Sequence, residues 1–385
     1  MPDPSPCIYL DNAATSFPKP PEVGETMLRM IREISLSPGR SAHRFSLAAS
    51  RVIFEARERV ADFFGCPDSS RVVFTSNVTE ALNVGIFGLL QTGAHVLTTG
   101  MEHNSVMRPL RYLEKTRGVI LTILPTDPTG GIDPDDIPKH LKAKTRLIII
   151  NHVSNVTGAV ADLAAIGARK GGALLMVDAA QSAGVFPLDM EAFGIDFLAF
   201  TGHKGLFGPT GTGGFLLRQG LVLPPLTMGG TGSNSELEEQ PQLMPDCFES
   251  GTPNTVGIGG LAAGLECIQK IGRETIRLRE ASLTRTLLEG LSRIQGVTVY
   301  GPIPGETRGS AVSLTMVGKS VTDLAFLLDR NFGIMARAGL HCAPAAHRSI
   351  TTFPQGTLRL SPGFFNTEGD IRSVLAALEQ INATR

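Results

Sequence analysis

The sequence predicts an α/β protein: a large, doubly wound, mainly parallel sheet covered by helices, joined to a smaller α+β domain. Three observations carry that prediction. From about residue 70 to 217, short β-branched and apolar runs alternate with helix-like stretches. Polar residues gather just after those runs, where open sheets of this kind collect their ligands. Past Leu217 the alternation stops, and shorter strand-like runs resume only near Val297.

In order, the large-sheet strands are read at Arg71 to Thr75, His95 to Thr99, Val119 to Leu124, Arg146 to Ile150, Leu174 to Asp178, Phe197 to Phe200 and Gly213 to Leu217. Gly229 to Gln242 is rich in Gly, Ser and Glu without apolar periodicity and reads as a surface loop. A helix follows from Val256 to about Ile271. The smaller domain takes strands at Val297 to Tyr300, Ala311 to Thr315, Gly333 to Arg337 and Thr357 to Leu360. Its last helix opens on a capping-box pattern, Thr367 with Asp370, and repeats Ile371, Val374, Leu375, Leu378 and Ile381 at helical spacing. The domains are set at 21–255 (large) and 256–385 (small), with 1–20 returning to the small domain at the edge of the site.

The chain has 385 residues, 42% of them hydrophobic, enough to bury more than one core. Its net charge of −1 favours neither nucleic acid nor an acidic membrane surface. Apolar runs fall far short of the roughly 20 residues of a membrane helix, and Met1 to Cys7 lacks a signal-like pattern, so a cytoplasmic location is expected. The five cysteines, Cys7, Cys66, Cys247, Cys267 and Cys342, are scattered without paired spacing, which predicts neither disulfides nor a metal site.

The most informative segment runs from Phe200 to Gly214 (FTGHKGLFGPTGTGG) and places Lys204 at a strand end. A lysine that attacks an aldehyde must be desolvated or near other cations so that its amine loses its proton. The flanking glycines admit a flat cofactor, and Thr201 and His203 can donate to a phosphate. Alone, such a lysine reads more readily as a solvated loop residue; the neighbouring strand ends change that. Asp178, with Gln181 after it, offers the carboxylate that pyridoxal chemistry needs at the ring nitrogen and an amide for the ring's phenolic oxygen. Asp178 as a plain helix cap stays open. Thr79, in the turn TSNVTE, suits a phosphate at a helix N-terminus, with capping by Ser76 or Thr79 as the alternative. His103 could stack on the ring and handle protons, or be structural. Asn155 could reach the ring oxygen or the substrate.

With these residues in view, the sequence resembles, over nearly its whole length, the class V aminotransferase-fold enzymes, most closely the cysteine desulfurase and selenocysteine lyase branch. Tyr9 to Thr15 (YLDNAAT) looks like the N-terminal signature, and Thr201 to Lys204 (TGHK) with Gly208 to Gly211 (GPTG) is similar to the lysine motif. The resemblance implies a PLP-dependent transferase fold of the aspartate aminotransferase kind and pyridoxal 5′-phosphate carried as a Schiff base on Lys204. It implies that His103 stacks on the ring, Asp178 meets its nitrogen and Gln181 its phenolic oxygen, while Thr79, Thr201 and His203 hold the phosphate.

Phe248 to Asn254 (FESGTPN) looks like the segment that sends a threonine, here Thr252, to the partner's phosphate, which implies a homodimer. Arg337 to Ala343 (RAGLHCA) is similar to the second group's cysteine motif, with Cys342 as the persulfide-forming nucleophile and His341 as the nearest proton acceptor in sequence. Arg359 to Thr367 (RLSPGFFNT) resembles the element whose arginine, Arg359, grips the substrate carboxylate. The implied activity takes L-cysteine, or L-selenocysteine, to L-alanine and passes sulfur through Cys342 to a protein acceptor. The chain departs from the motif at Leu340-His341, where two adjacent histidines are usual, and the stretch with His347 and Arg348 has no close match. Open alternatives are a selenocysteine lyase, a transaminase or epimerase that does not use Cys342, a non-catalytic sulfur relay, and a weakly supported nucleotide site at Gly208 to Gly214, which lacks the P-loop lysine.

Overall fold

Apolar runs bounded by turn residues become strands, those at the centre of the large sheet covered on both faces, as seen in the computed structural model, which describes residues 7–34, 38, 43–233, 236 and 238–383. The reading of residues 1–6, and positions 234, 235 and 237 of the expected 229–242 loop, lie outside the described residues. The chain opens with β1 (Ile8–Tyr9), α1 (Pro21–Glu33) and α2 (Arg44–Phe63). The alternating region follows as β2 (Val72–Thr75), α3 (Val78–Leu89), β3 (His95–Thr99), α4 (Asn104–Arg117), β4 (Ile120–Leu124), α5 (Asp136–His140), β5 (Thr145–Asn151), α6 (Leu163–Arg169), β6 (Leu174–Asp178), β7 (Phe197–Thr201) and β8 (Gly213–Leu217). Then come α7 (Thr255–Ile271), α8 (Arg273–Leu291), β9 (Val297–Tyr300), β10 (Val312–Met316), α9 (Val321–Phe332), β11 (Ile334–Met335), β12 (Arg337–Gly339), α10 (Pro344–Ser349), β13 (Thr357–Leu360) and α11 (Glu368–Ala383).

Among the described residues the large sheet has seven strands in the order β2-β8-β7-β6-β5-β3-β4. All neighbours are parallel except β8, which runs antiparallel to both β2 and β7. The chain steps outward from β3 to β4, then back past β3 to β5, β6 and β7. The crevice between the ends of β3 and β5 is therefore the topological switch point, where such sheets bind ligands. One face of the sheet packs Ile148, Ile150, Leu175 and Val177; the other packs Val96, Leu147, Ile149 and Met176. α7 adds Leu261, Leu265 and Ile268 to the first of these cores, although the sequence reading groups residues from 256 with the smaller domain.

The second sheet, β12-β13-β10-β9, is antiparallel and shares a core with α8, α9 and α11. The expected strand at Gly333 to Arg337 is split: Ile334 and Met335 pair with β1, and Arg337 to Gly339 pair with β13. Leu10 is buried in this second core, and Ser361 donates its N–H to the Leu10 carbonyl at 2.7 Å. The N-terminal segment then crosses to the large sheet, where the Thr15 hydroxyl donates to the His203 carbonyl at 3.0 Å. The last helix is capped as its pattern predicts, Asp370 N–H to Thr367 Oγ1 at 3.1 Å and Thr367 N–H to Asp370 Oδ2 at 2.9 Å. No helix among the described residues is long and apolar enough to cross a membrane.

Candidate active site

The large-sheet strand ends and the second sheet enclose one cavity of about 210 Å³. Thr79, His103, Asn155, Asp178, Gln181, Thr201, His203 and Lys204 all line it, and Cys342 and Arg359 face it from the other side. Thr252 does not; it is exposed on the loop before α7. A larger cleft of about 480 Å³ sits at the opposite strand ends, where Lys170 and Arg218 both pair with Asp196.

Burial pushes the Lys204 amine down from its ordinary value to about 8; Arg359 and Arg337 push the same way, against the pull of Asp178. Asp178 is buried, and its Oδ1 accepts the Ala180 N–H at 2.9 Å. Burial raises its pKa above the ordinary carboxylate value, offset in part by that hydrogen bond and by Lys204. It caps no helix among the described residues, because turns follow β6.

α3 is capped by Asn77, whose side chain accepts from the Glu80 N–H, so neither Ser76 nor Thr79 is needed there. Thr79 Oγ1 lies 2.8 Å from Ser105 Oγ, which lies 2.8 Å from Nδ1 of His103. His103 caps α4 by accepting the Ser105 N–H at Nδ1, so a neutral ring carries its hydrogen on Nε2. Burial, then Lys204 and the nearby arginines, lower His103 to about 4. The histidine is thus a structural cap and a wall of the cavity at once. Gln181 donates from Nε2 to the Ala13 carbonyl at 2.8 Å.

Arg359 is 1% exposed and held by two contacts, Nη1 to the Asn155 carbonyl at 3.0 Å and Nη2 to Asp11 Oδ1 at 2.6 Å. The sequence reading passed over Asp11, although it stands within the quoted YLDNAAT run. It passed over Arg337 too, which lines the same cavity with its Nη2 4.0 Å from Cys342 Sγ. Three buried polar atoms of the cavity walls, Nδ1 of His203, Oδ1 of Asn155 and Nε of Arg359, have no partner among the described residues. Such atoms are costly unless a ligand meets them. Three cations (Lys204, Arg337, Arg359) against two carboxylates (Asp11, Asp178) suit a ligand bearing phosphate and carboxylate groups, so these residues fit the expected cofactor and substrate.

Cys342 is exposed at the cavity mouth, in the turn between β12 and α10. His341 does not serve its thiol as the sequence suggests. Its Nε2 lies 3.2 Å from the Arg337 carbonyl and its Nδ1 3.3 Å from Nε2 of His347, so both ring nitrogens are engaged elsewhere. Among the described residues, no group of three or more His, Cys, Asp or Glu side chains is arranged to hold a metal ion.

Comparison with known proteins agrees with this geometry. The family model for aminotransferase class-V matches residues 8–374. A probable cysteine desulfurase of Methanothermobacter thermautotrophicus is 37% identical, over 97% of this chain and 94% of that protein. The apo structure of a cysteine desulfurase from Thermococcus onnurineus superposes with a TM-score of 0.92 at 33% identity, covering 98% of this chain and 95% of the other. The Escherichia coli cysteine desulfurase CsdA, in an S-sulfonic acid form, gives 0.87 at 29% identity over 97% and 94%. On these matches along almost its full length, the chain belongs to the class-V aminotransferase family, within its cysteine desulfurase branch.

Proposed function

We propose that this chain is a cysteine desulfurase that uses pyridoxal 5′-phosphate to convert L-cysteine to L-alanine and receives the sulfur on Cys342. The single observation that carries the reading is the convergence of Lys204, Arg359 and Cys342 on one cavity. When bound, the cofactor supplies an electron sink conjugated to the substrate's amino group, which acidifies the Cα hydrogen. Lys204 would anchor it, and its amine, lowered to about 8, can take up and return a proton at the substrate's Cα near neutral pH. Asp178 would hold the positive charge of the ring nitrogen, His103 would pack on the ring, and Gln181 would meet the phenolic oxygen. Thr79, Thr201 and His203 would hold the phosphate, and Asn155 and Arg359 would hold the substrate.

The thiolate of Cys342 attacks the substrate's sulfur. The bond from that sulfur to Cβ breaks, its electron pair stays with carbon, and protonation gives alanine while a persulfide remains on Cys342. A second thiol, from a protein acceptor or an added reductant, then takes the terminal sulfur. Thr252, exposed and away from its own chain's cavity, supports a homodimer in which it serves the partner's phosphate. A reducing, cytoplasmic setting belongs to the same proposal, since the carrier must begin as a free thiol.

Alanine release from L-cysteine, with and without reductant, tests the reading in wild type and Cys342→Ala, both checked for cofactor absorbance. We expect wild-type release and a loss of about 100-fold or more in the variant, with absorbance retained. Equal turnover of the two would remove Cys342 from the mechanism. Cofactor absorbance without release from wild type would discard L-cysteine, and L-selenocysteine as the next substrate tried would identify the lyase alternative.

A further inference from the structure

We propose that His347, which does not line the cavity, is a positioning residue for Cys342 that acts through His341, with Thr352 fixing the orientation of its ring. The proposal rests on the desulfurase reading for its kinetic consequence, but the geometry behind it does not.

Cys342 sits on an unusual piece of backbone. His341 and Cys342 both adopt left-handed conformations, at φ 49° and 57°, which side chains with a Cβ rarely take singly and still more rarely in succession. Such a turn persists only where its surroundings over-determine it. Two of its carbonyls are tied down: that of His341 accepts from Asn155 Nδ2 at 2.8 Å, and that of Cys342 accepts from the Asn104 N–H at the start of α4, also at 2.8 Å. The third tie is the His341 ring, which reaches back to Arg337 in β12 and forward to His347 in α10, spanning the base of the turn.

The directions of these bonds follow from one fixed point. The Arg337 carbonyl can only accept, so His341 Nε2 carries the hydrogen. A neutral His341 then accepts at Nδ1, which requires the hydrogen on Nε2 of His347. That leaves Nδ1 of His347 to accept from the Thr352 hydroxyl, 2.7 Å away. Donation therefore runs one way, from Thr352 through His347 and His341 to Arg337. Burial keeps both rings neutral near pH 7, lowering His341 to about 3 and His347 to about 4.

The far end of the chain is braced as well. His347 is fully buried, and its carbonyl accepts from Thr352 N–H at 2.8 Å and Phe353 N–H at 3.1 Å, across another left-handed residue, Thr351 at φ 59°. The same helix puts Ala346 into a small apolar cluster with Met101, Val156 and Ile350. An apolar side chain at 347 would avoid the cost of burying an imidazole there, so the ring is explained by what it holds.

The test uses the full-length, cofactor-loaded enzyme with His347→Leu, His347→Gln and Thr352→Val. Three quantities are read: kcat and KM for alanine release, cofactor absorbance, and the rate at which iodoacetamide alkylates Cys342, followed at that residue by mass spectrometry. We expect His347→Leu to lower kcat by about tenfold or more, with KM and absorbance within about twofold, and to shift the alkylation rate several-fold. His347→Gln keeps an N–H for His341 and should recover kcat to within about threefold of wild type, with Thr352→Val intermediate. Wild-type kcat and alkylation in His347→Leu would overturn the proposal, as would equal damage from Leu and Gln, which would mean a demand for shape alone. Should His347→Leu fail to fold, Thr352→Val decides: a shift in both quantities supports the role, and no shift in either overturns it. Absence of alanine release by wild type would overturn the desulfurase reading, while the alkylation rates would still decide the positioning role.

Discussion

At the scale of single residues, the cavity sets ionisation by burial first and by neighbouring charge second. In the proposed mechanism the Lys204 amine, lowered to about 8 by burial and by Arg359 and Arg337, is the group that must be neutral to capture the cofactor's aldehyde. Below that value only the deprotonated fraction reacts, so the capture rate of cofactor-free protein should rise about tenfold per pH unit and level off above about 8. Stopped-flow absorbance across pH 6 to 10 reads this directly; a rise that continues toward pH 10 would mean an ordinary lysine. Arg359 poses a different demand. Its planar fork holds Asp11 and the Asn155 carbonyl while Nε stays without a partner among the described residues. Lysine can keep the charge but cannot hold Asp11, the carbonyl and a substrate carboxylate together. Arg359→Lys should therefore raise KM for L-cysteine by about 10- to 100-fold, with a smaller effect on cofactor absorbance. Unchanged KM would move the carboxylate site elsewhere, Arg337 being the nearest candidate.

At the scale of elements, the site depends on how tightly strands and helices approach each other. Gly213 in β8 faces the cap of α3: a Cβ there would lie 2.7 Å from the carbonyl carbon of Asn77 and 2.8 Å from its Cα. Backbone cannot yield as a side chain can, so Gly213→Ala should displace the end of α3 that presents Thr79. We expect weaker cofactor retention, by about tenfold, and a stability loss of about 1–3 kcal/mol, read by dialysis against free cofactor and by thermal unfolding. Retention equal to wild type would separate α3 from phosphate binding. Elements of this kind were legible in the sequence: β3 and β6 fall on their predicted bounds, Asp178 ends β6, and Lys204, His103 and Asn155 each follow a strand within a few residues. Local pattern sufficed because a strand end puts its next residues at the sheet edge whatever the topology. The insertion of β8 between β2 and β7 left no such local mark. Nor did the pairing of Asp11 with Arg359, 348 positions apart, or of His341 with His347, since those partners are chosen by tertiary packing alone.

At the scale of the whole molecule, the loop that carries His103 is tied into the large sheet by a buried carboxyl, and the fold's stability should record it. Glu102 is fully buried; its Oε1 accepts from the Thr99 hydroxyl at 2.8 Å and the Asn151 N–H at 3.0 Å, while Oε2 has no partner among the described residues. Burial pushes it up from 4.5 to about 8, against the pull of those two hydrogen bonds. The folded protein therefore keeps a proton that the unfolded chain releases near its ordinary value. The contribution to stability is complete below about pH 4.5, declines as the pH rises toward 8, and is lost once the folded carboxyl ionises. The slope in that window is at most about 1.4 kcal/mol per pH unit. Glu102→Gln keeps an acceptor at the Oε1 position but has no proton to lose. Its stability relative to wild type should climb between about pH 5 and 8 and then hold level, whatever its offset at low pH. Parallel stability curves for the two proteins, followed by denaturant unfolding at each pH, would mean that Glu102 is already ionised in the fold, with Oε2 meeting a donor. The loop from β3 to His103 would then be held by charge instead of by a neutral acid.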